Sequence, residues 1–254
     1  MIDSLRARAK NHLYRLRLRS ASFAELNTLS QPGFNPSLFE LYSRTGYCFI
    51  HIPKNGGTTV ERLFYRNKVG HRAWFELHSL APLRYCEWVK FCVIRHPIDR
   101  FLSSYDYLRR GGRNPIDREI GRRFVQRSDL NTFVANFEHE DFRNQIMRYF
   151  HFRPQFEYIL SGDGHCMVNK LLSFDRLGEE VAAMLGVDTS SISHDNKTPG
   201  RRTLIEALTP DSRQTIESLY ARDFQLYEAR GGDTTDFYLR RFDAGSVTTS
   251  SSAA

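Results

Sequence analysis

The stretch "CFIHIPKNGGTTVERLF", residues 48–64, decides the fold. From Tyr47 to Ile52 the chain is apolar and aromatic, short, and rich in strand formers, which predicts a buried strand. Pro53 ends it. Helical periodicity then starts at Thr58, with Val60, Leu63 and Phe64 apolar and Glu61, Arg62 and Arg66 polar. Thr58 or its neighbour is the expected N-cap, with Glu61 completing a capping box. A strand, a Gly-rich turn and a helix aim free backbone N–H groups at an anion. The order inside the turn is unusual. In the nucleotide-binding loop the glycines precede the Lys-Ser/Thr pair; here Lys54 comes before Gly56 and Gly57, and Thr58 and Thr59 close the loop.

A second segment repeats the layout. "VKFCVI", residues 89–94, reads as a buried strand, followed by Arg95, Pro97 and a helical pattern in which Ile98, Phe101, Leu102 and Tyr105 share a face. Arg95 sits at the strand's C-terminal end, and Ser103 falls two helical turns later. Open α/β sheets bind ligands beyond the carboxyl ends of their strands. Two strand ends carrying anion-binding devices would grip two phosphate groups of one ligand. The expected fold is α/β: a P-loop-like, three-layer arrangement with a central, mainly parallel sheet flanked by helices.

The rest of the chain fits one sizeable α/β domain. Of 254 residues, 41% are hydrophobic, 26% charged and 13% aromatic, an ordinary folded composition. Residues 1–40 read as a basic helical arm and a Pro/Gly/Asn loop, 41–235 as the domain, and 236–254 as a small, polar tail expected to be disordered. Within the domain, Asn114 and Pro115 open a helix bearing Arg118, Arg122, Arg123 and Arg127. Further helices are expected around 129–137 and 141–149. "EYILSG" and "VNKLLSF" read as short strands, and "LGEEVAAMLG" as a helix ending at Gly186. "TPDSRQTIESLYARDFQLYEA" reads as one long helix opened by Thr209 and Pro210.

The formal charge of +7 calls for an anionic partner without choosing one. The four cysteines, Cys48, Cys86, Cys92 and Cys166, have neither CxxC nor Cys/His metal spacing; Cys48 and Cys92 read as buried thiols. No run of about 18 apolar residues is present, so no transmembrane span is expected. The basic start lacks the apolar core of a secretory signal. It reads as a solvated arm, or as a peripheral contact with an anionic membrane. Cytoplasmic localisation is the expectation.

At these residues the chain resembles the sulfotransferases that use 3′-phosphoadenosine 5′-phosphosulfate (PAPS), in particular their carbohydrate branch, of heparan/chondroitin type. In that family a PKTGGT-like loop holds the 5′-phosphosulfate, here Lys54, Asn55, Gly56, Gly57, Thr58 and Thr59. An R-x-P-x-x-R-x-x-S-x-Y segment holds the 3′-phosphate, here through Arg95 and Ser103. "NQIMRYF", "FRPQFEYI" and "LLSFDRLGEEVAAMLG" are similar to further family segments, and "LYARDFQLYE" to its closing helix. "HDNKTPGRR" resembles the region that closes over the nucleotide, which implies Thr198 and Arg201 as donor contacts. The likeness spans about 47–228. Asn55 stands where threonine is usual, removing a hydroxyl near the phosphosulfate, and Asp175 where glutamate is commoner.

The resemblance implies in-line transfer of a sulfuryl group from PAPS to a hydroxyl, with no metal. Such transfer needs positioning and charge stabilisation. Lys54 is placed to put an ammonium on the bridging oxygen of the leaving phosphate. The acceptor hydroxyl needs a base, which related enzymes supply from the interval corresponding to "GHRAWFELHSLAPLR". His78, at the start of "HSLAPLR", is the first choice, with His71 and Glu76 in reserve. The implied acceptor is a glycan, and no nucleic acid is expected as a partner. Arg118/Arg122 and Arg123/Arg127 have i,i+4 spacing. Their face suits carboxylates and sulfates of an acidic polysaccharide, or is a solvated surface partly neutralised by Asp117 and Glu119. Two other readings stand beside this one. A P-loop nucleotide kinase would want glycines before the lysine and a carboxylate for Mg²⁺ after the second strand. A non-catalytic basic module for glycan or nucleic acid would explain the charge but not two strand-end anion devices.

Overall fold

The structure, a computed structural model, describes residues 14, 16–30, 37–188, 205–230 and 240–242. Most of the basic arm, the polar tail, and the "HDNKTPGRR" segment with Thr198 and Arg201 lie outside the described residues. In chain order the first elements are α1 (Phe23–Ser30), α2 (Ser37–Thr45), β1 (Tyr47–Phe49), α3 (Gly57–Val60), α4 (Trp74–Leu80), α5 (Pro82–Glu87), β2 (Val89–Ile94) and α6 (Pro97–Arg109). There follow α7 (Pro115–Ile120), α8 (Leu130–Ala135), α9 (Glu140–Arg148), α10 (Phe156–Ile159), β3 (Lys170–Ser173), α11 (Leu177–Leu185), α12 (Pro210–Leu219) and α13 (Ala221–Ala229). Among the described residues no helix is long and apolar enough to cross a membrane.

The chain is α/β, with a three-stranded sheet in the order β1-β2-β3, both pairs parallel. Tyr47 pairs with Val89, and Phe91 with Lys170. A parallel sheet covered by helices on its faces buries its strands on both sides, which is why "CFI" and "VKFCVI" are nearly continuous apolar runs. Parallel pairing also puts the carboxyl ends of all three strands on one edge. Ile50–Pro53, Arg95 and Phe174 follow those ends directly.

The described chain divides into two compact units. The sheet-bearing unit comprises residues 34–100, 154–200 and 216–254. Its core gathers Phe49, Phe91, Phe64 and Trp88 with aliphatic residues of β2, β3 and α11. The second unit comprises 1–33, 101–153 and 201–215. It is helical, and its core includes Phe101, Tyr105, Phe133, Phe137 and Phe152. Local sequence sets its helix starts. Ser22 and Glu25 form a capping box at α1, Asn114 accepts from the Asp117 amide with Pro115 next, and Asp129 accepts from the Thr132 amide. In this unit Asp117 is buried and binds the hydroxyls of Tyr107 and Tyr149 and the amide of Asn114. Burial pushes its carboxyl up, but His151 and the tyrosine hydroxyls outweigh that and hold it below the usual range.

Three sequence expectations change. "EYILSG" is not a strand: Phe156–Ile159 is a short helix, and only Leu160 bridges, to Cys166. The long C-terminal helix is two, α12 and α13, parted at Tyr220, whose backbone (φ −115°, ψ 22°) leaves the helical region. Two of the four arginines on the face of the second unit, Arg122 and Arg123, are engaged within the protein. Arg122 and Arg123 both bind Glu119, and Arg123 also donates to the carbonyls of Leu18, Arg19 and Ala21, tethering the end of the helical segment 16–20. Arg113, Arg118 and Arg127 stay exposed.

Candidate active site

The loop after β1 is held from below by arginines. Lys54 adopts a left-handed backbone (φ 70°), as does Gly56 (φ 77°). For a residue with a side chain this costs about 1–2 kcal/mol, so the surroundings must impose it. Arg95 Nη1 donates to the Lys54 carbonyl at 2.9 Å, and Arg100 Nε to the Pro53 carbonyl at 3.0 Å. Arg100 is the second arginine of the R-x-P-x-x-R segment. It is 1% exposed and works entirely within the fold. The Arg95 guanidinium lies 4.3 Å from the centre of the Phe174 ring, a cation–π contact just past the end of β3. His96 turns to other company, edge-on to Phe224 and Tyr227.

Helix α3 begins one residue earlier than its sequence suggests. Gly56, not Thr58, is the N-cap. The left-handed turn at Gly56 starts the helix at Gly57, which puts Glu61 beyond the reach of the cap. The Glu61 carboxylate serves instead as a buried acceptor: for the amides of Val69 at 2.9 Å and Gly70 at 3.3 Å, and opposite His51 Nδ1 at 3.2 Å. Burial raises its pKa, but the His51 contact and the two amides prevail and lower it. His51 in turn lies beneath the loop: a Cβ on Gly57 would overlap its Nε2. The His71 ring is 4.1 Å from that of His51, and His71 Nδ1 is 3.3 Å from the His51 carbonyl.

The six loop residues divide by direction. Thr58 is exposed and Lys54 half-buried; the first-turn amides of Gly57 and Thr58 have no carbonyl one turn back to bind. Thr59 faces inward at 7% exposure, and its N–H is taken by the Gly56 carbonyl at 2.9 Å. Asn55 is also turned in, at 1% exposure, so its side chain is a cross-link within the fold, not a replacement for a hydroxyl at the loop surface. Its Nδ2 donates to the Val93 carbonyl and to Gln155 Oε1, both at 2.6 Å. Ser103 is half-buried on α6 and belongs to the helical unit. Among the base candidates, Glu76 accepts the Ala73 amide at 2.7 Å and thereby caps α4. His78 is half-buried, 5.9 Å from the Trp74 ring and 5.6 Å from the Tyr85 ring. Its imidazole makes no hydrogen bond among the described residues.

Sequence reasoning missed Arg100, Gln155, Asp223 and the Glu61 partner of His51 as supports of the loop. The motif letters of Arg100 and Gln155 were their only sequence signal. Asp223, fully buried, accepts the amides of Gln155 at 2.7 Å and Phe156 at 2.9 Å, and so starts α10. Burial pushes its carboxyl up to about 6, with Arg100 and these amides pulling the other way.

The exposed and half-exposed donors at this strand edge are an ammonium and backbone amides, with the Thr58 hydroxyl beside them. The Glu61 carboxylate, on the turn that follows, is engaged with His51 and the amides of Val69 and Gly70. Such a donor set fits an anion with several oxygens. Among curated proteins and among solved structures nothing matches this chain. The profile of the sulfotransferase family matches residues 43–228, which takes in the Lys54 loop, Arg95, Gln155 and Asp223. With that match covering most of its length, the chain belongs to the sulfotransferase family and is an enzyme of sulfuryl transfer.

Proposed function

We propose that the donor is PAPS, that the acceptor is a carbohydrate hydroxyl, and that His78 is the general base. PAPS supplies a sulfuryl group already activated on a phosphate leaving group. The observation that supports this donor is the loop itself: Lys54 forced into a left-handed conformation by two buried arginines, ahead of first-turn amides. In this reading Lys54 neutralises the charge that grows on the departing phosphate oxygen. Gly56, Gly57 and Thr58 hold the 5′-phosphosulfate, and Arg95 and Ser103 the 3′-phosphate, with Thr198 and Arg201 as further donor-binding residues by the family resemblance. The glycan acceptor is supported by the carbohydrate-branch motifs of the sequence, and by Arg113, Arg118 and Arg127 as exposed cations for its acidic groups.

His78 accepts the acceptor's proton as the hydroxyl oxygen attacks. A base needs an uncommitted lone pair, and of the three candidates His78 has the imidazole without a hydrogen bond among the described residues, whereas Glu76 is occupied in capping α4. His78→Asn is expected to lower kcat for transfer of labelled sulfate from PAPS to glycans by about 10²–10⁴-fold. Binding of adenosine 3′,5′-bisphosphate should be unchanged. Full activity in a folded His78→Asn protein, with loss in His71→Asn, would move the base to His71.

A further inference from the structure

Gln155 is 0% exposed, and the hydrogen-bonding capacity of its carboxamide is committed to the strand edge. Oε1 accepts from Asn55 Nδ2 at 2.6 Å and from the Arg95 amide at 3.1 Å, while Nε2 donates to the Arg95 carbonyl at 2.9 Å. The Asp223 carboxylate holds the Gln155 backbone amide at 2.7 Å. These partners fix which end of the amide is oxygen and which nitrogen, since each bond pairs a donor with an acceptor.

Two of the contacts grip Arg95 by both backbone groups, as a neighbouring strand would, at the point where β2 has ended. The third grips Asn55, the residue after Lys54. Arg95 then reaches back with Nη1 to the Lys54 carbonyl. Gln155 therefore closes a ring through Arg95, Lys54 and Asn55, with Lys54 the one member held in a left-handed conformation. Of the four, only Lys54 has its backbone in a conformation that it would leave if released.

We propose that Gln155 is a positioning residue for sulfuryl transfer: it acts through Arg95 and Asn55 to hold the Lys54 ammonium at the leaving oxygen, and touches neither donor nor acceptor. The proposal rests on the donor reading above. Glutamate is nearly isosteric but cannot donate to the Arg95 carbonyl, and it adds a negative charge beside Asp223. Methionine fills the same space and makes none of these bonds. Because the lysine matters most where charge develops, loosening it reduces kcat more than donor binding.

The test uses Gln155→Glu, Gln155→Met and Asn55→Thr, which cuts one contact of the ring and leaves the grip on Arg95. Steady-state kcat and KM for PAPS, bisphosphate affinity, and amide hydrogen exchange over residues 53–57 are measured for each folded protein. For both Gln155 variants the expected result is a kcat drop of tenfold or more, a change in donor KM below about threefold, and faster exchange across the loop. Asn55→Thr should fall between them and the wild type. Unchanged loop exchange, or a kcat within threefold of wild type in the Met variant, would overturn the proposal; exchange alone decides if a variant is inactive for other reasons. A wild type that neither binds bisphosphate nor transfers sulfate would instead remove the donor reading, and this proposal with it.

Discussion

Lys54→Ala is expected to lower kcat for sulfuryl transfer by at least about 100-fold, equivalent to ~3 kcal/mol of transition-state stabilisation. Sulfuryl transfer leaves little covalent work for a protein, so a fixed cation at the leaving oxygen carries much of the catalysis. The proposed cation comes with a built-in constraint: two arginine side chains bind the carbonyls of Pro53 and Lys54 and hold the lysine at φ 70°. Alanine keeps that backbone strain and removes the side chain beyond Cβ with its ammonium, so a rate loss without a loss of stability reports the charge. Lys54→Gly removes both and should be equally inactive but no less stable, because glycine adopts the left-handed region without cost. Lys54→Arg keeps a charge, but as a broad planar fork in place of a compact point, and should recover only part of the rate. The check is a kcat series alongside thermal melts. An alanine variant within about threefold of wild type would show that another group stabilises the leaving oxygen.

Gly57→Ala is expected to do more damage than its single methyl suggests, about 3 kcal/mol of stability together with most of the activity. The new Cβ would overlap three atoms of the His51 ring. That ring has no room to withdraw: it is 6% exposed, stacked 5.1 Å from Phe49, 4.1 Å from His71, and held at Nδ1 by Glu61 at 3.2 Å. The loop must move instead, and a shift of about 1 Å at the proposed phosphosulfate contacts is enough to cost a large factor in rate. Gly56→Ala provides the comparison. Its Cβ meets the flexible end of Leu177 at 2.7 Å and the edge of the Phe174 ring at 3.2 and 3.3 Å, far looser than the overlap with His51, so there the left-handed backbone carries a larger share of the penalty. Differential scanning calorimetry of the two variants measures the difference. A Gly57→Ala protein as stable as wild type would mean that the His51 ring can leave its place under the loop.

What the sequence revealed was what adjacent residues decide together. The apolar runs before Pro53 and Arg95, the caps Asn114 and Thr209, and the anion-binding turn all depend on neighbours within a few positions. The missed features depend on distant partners. "EYILSG" has the composition of a strand, but Asp223, 67 and 68 positions away, takes the amides of Phe156 and Gln155 and winds it into a helix. Asn55 reads as a surface substitution for threonine until Gln155, 100 residues on, is seen to hold its amide. The arginines after Pro115 look like a ligand-binding face because their spacing is visible. The carbonyls at Leu18, Arg19 and Ala21 that occupy Arg123 lie more than 100 positions back. Glu61 fits a capping-box spacing, yet the left-handed turn at Gly56 moves the helix start and frees the carboxylate for His51.

The central claim is that the strand edge carrying Lys54 and Arg95 binds the donor's adenosine bisphosphate moiety without a metal. Thermal unfolding with adenosine 3′,5′-bisphosphate, with and without magnesium, tests it most directly. At a ligand concentration 100 times Kd, binding adds about 2.7 kcal/mol to stability, a shift of several degrees for a protein of this size. The predicted result is that shift at equal size with and without magnesium, little or none with ATP-Mg, and its loss in Arg95→Ala. No shift with the bisphosphate, or a larger one with ATP-Mg, would contradict the account.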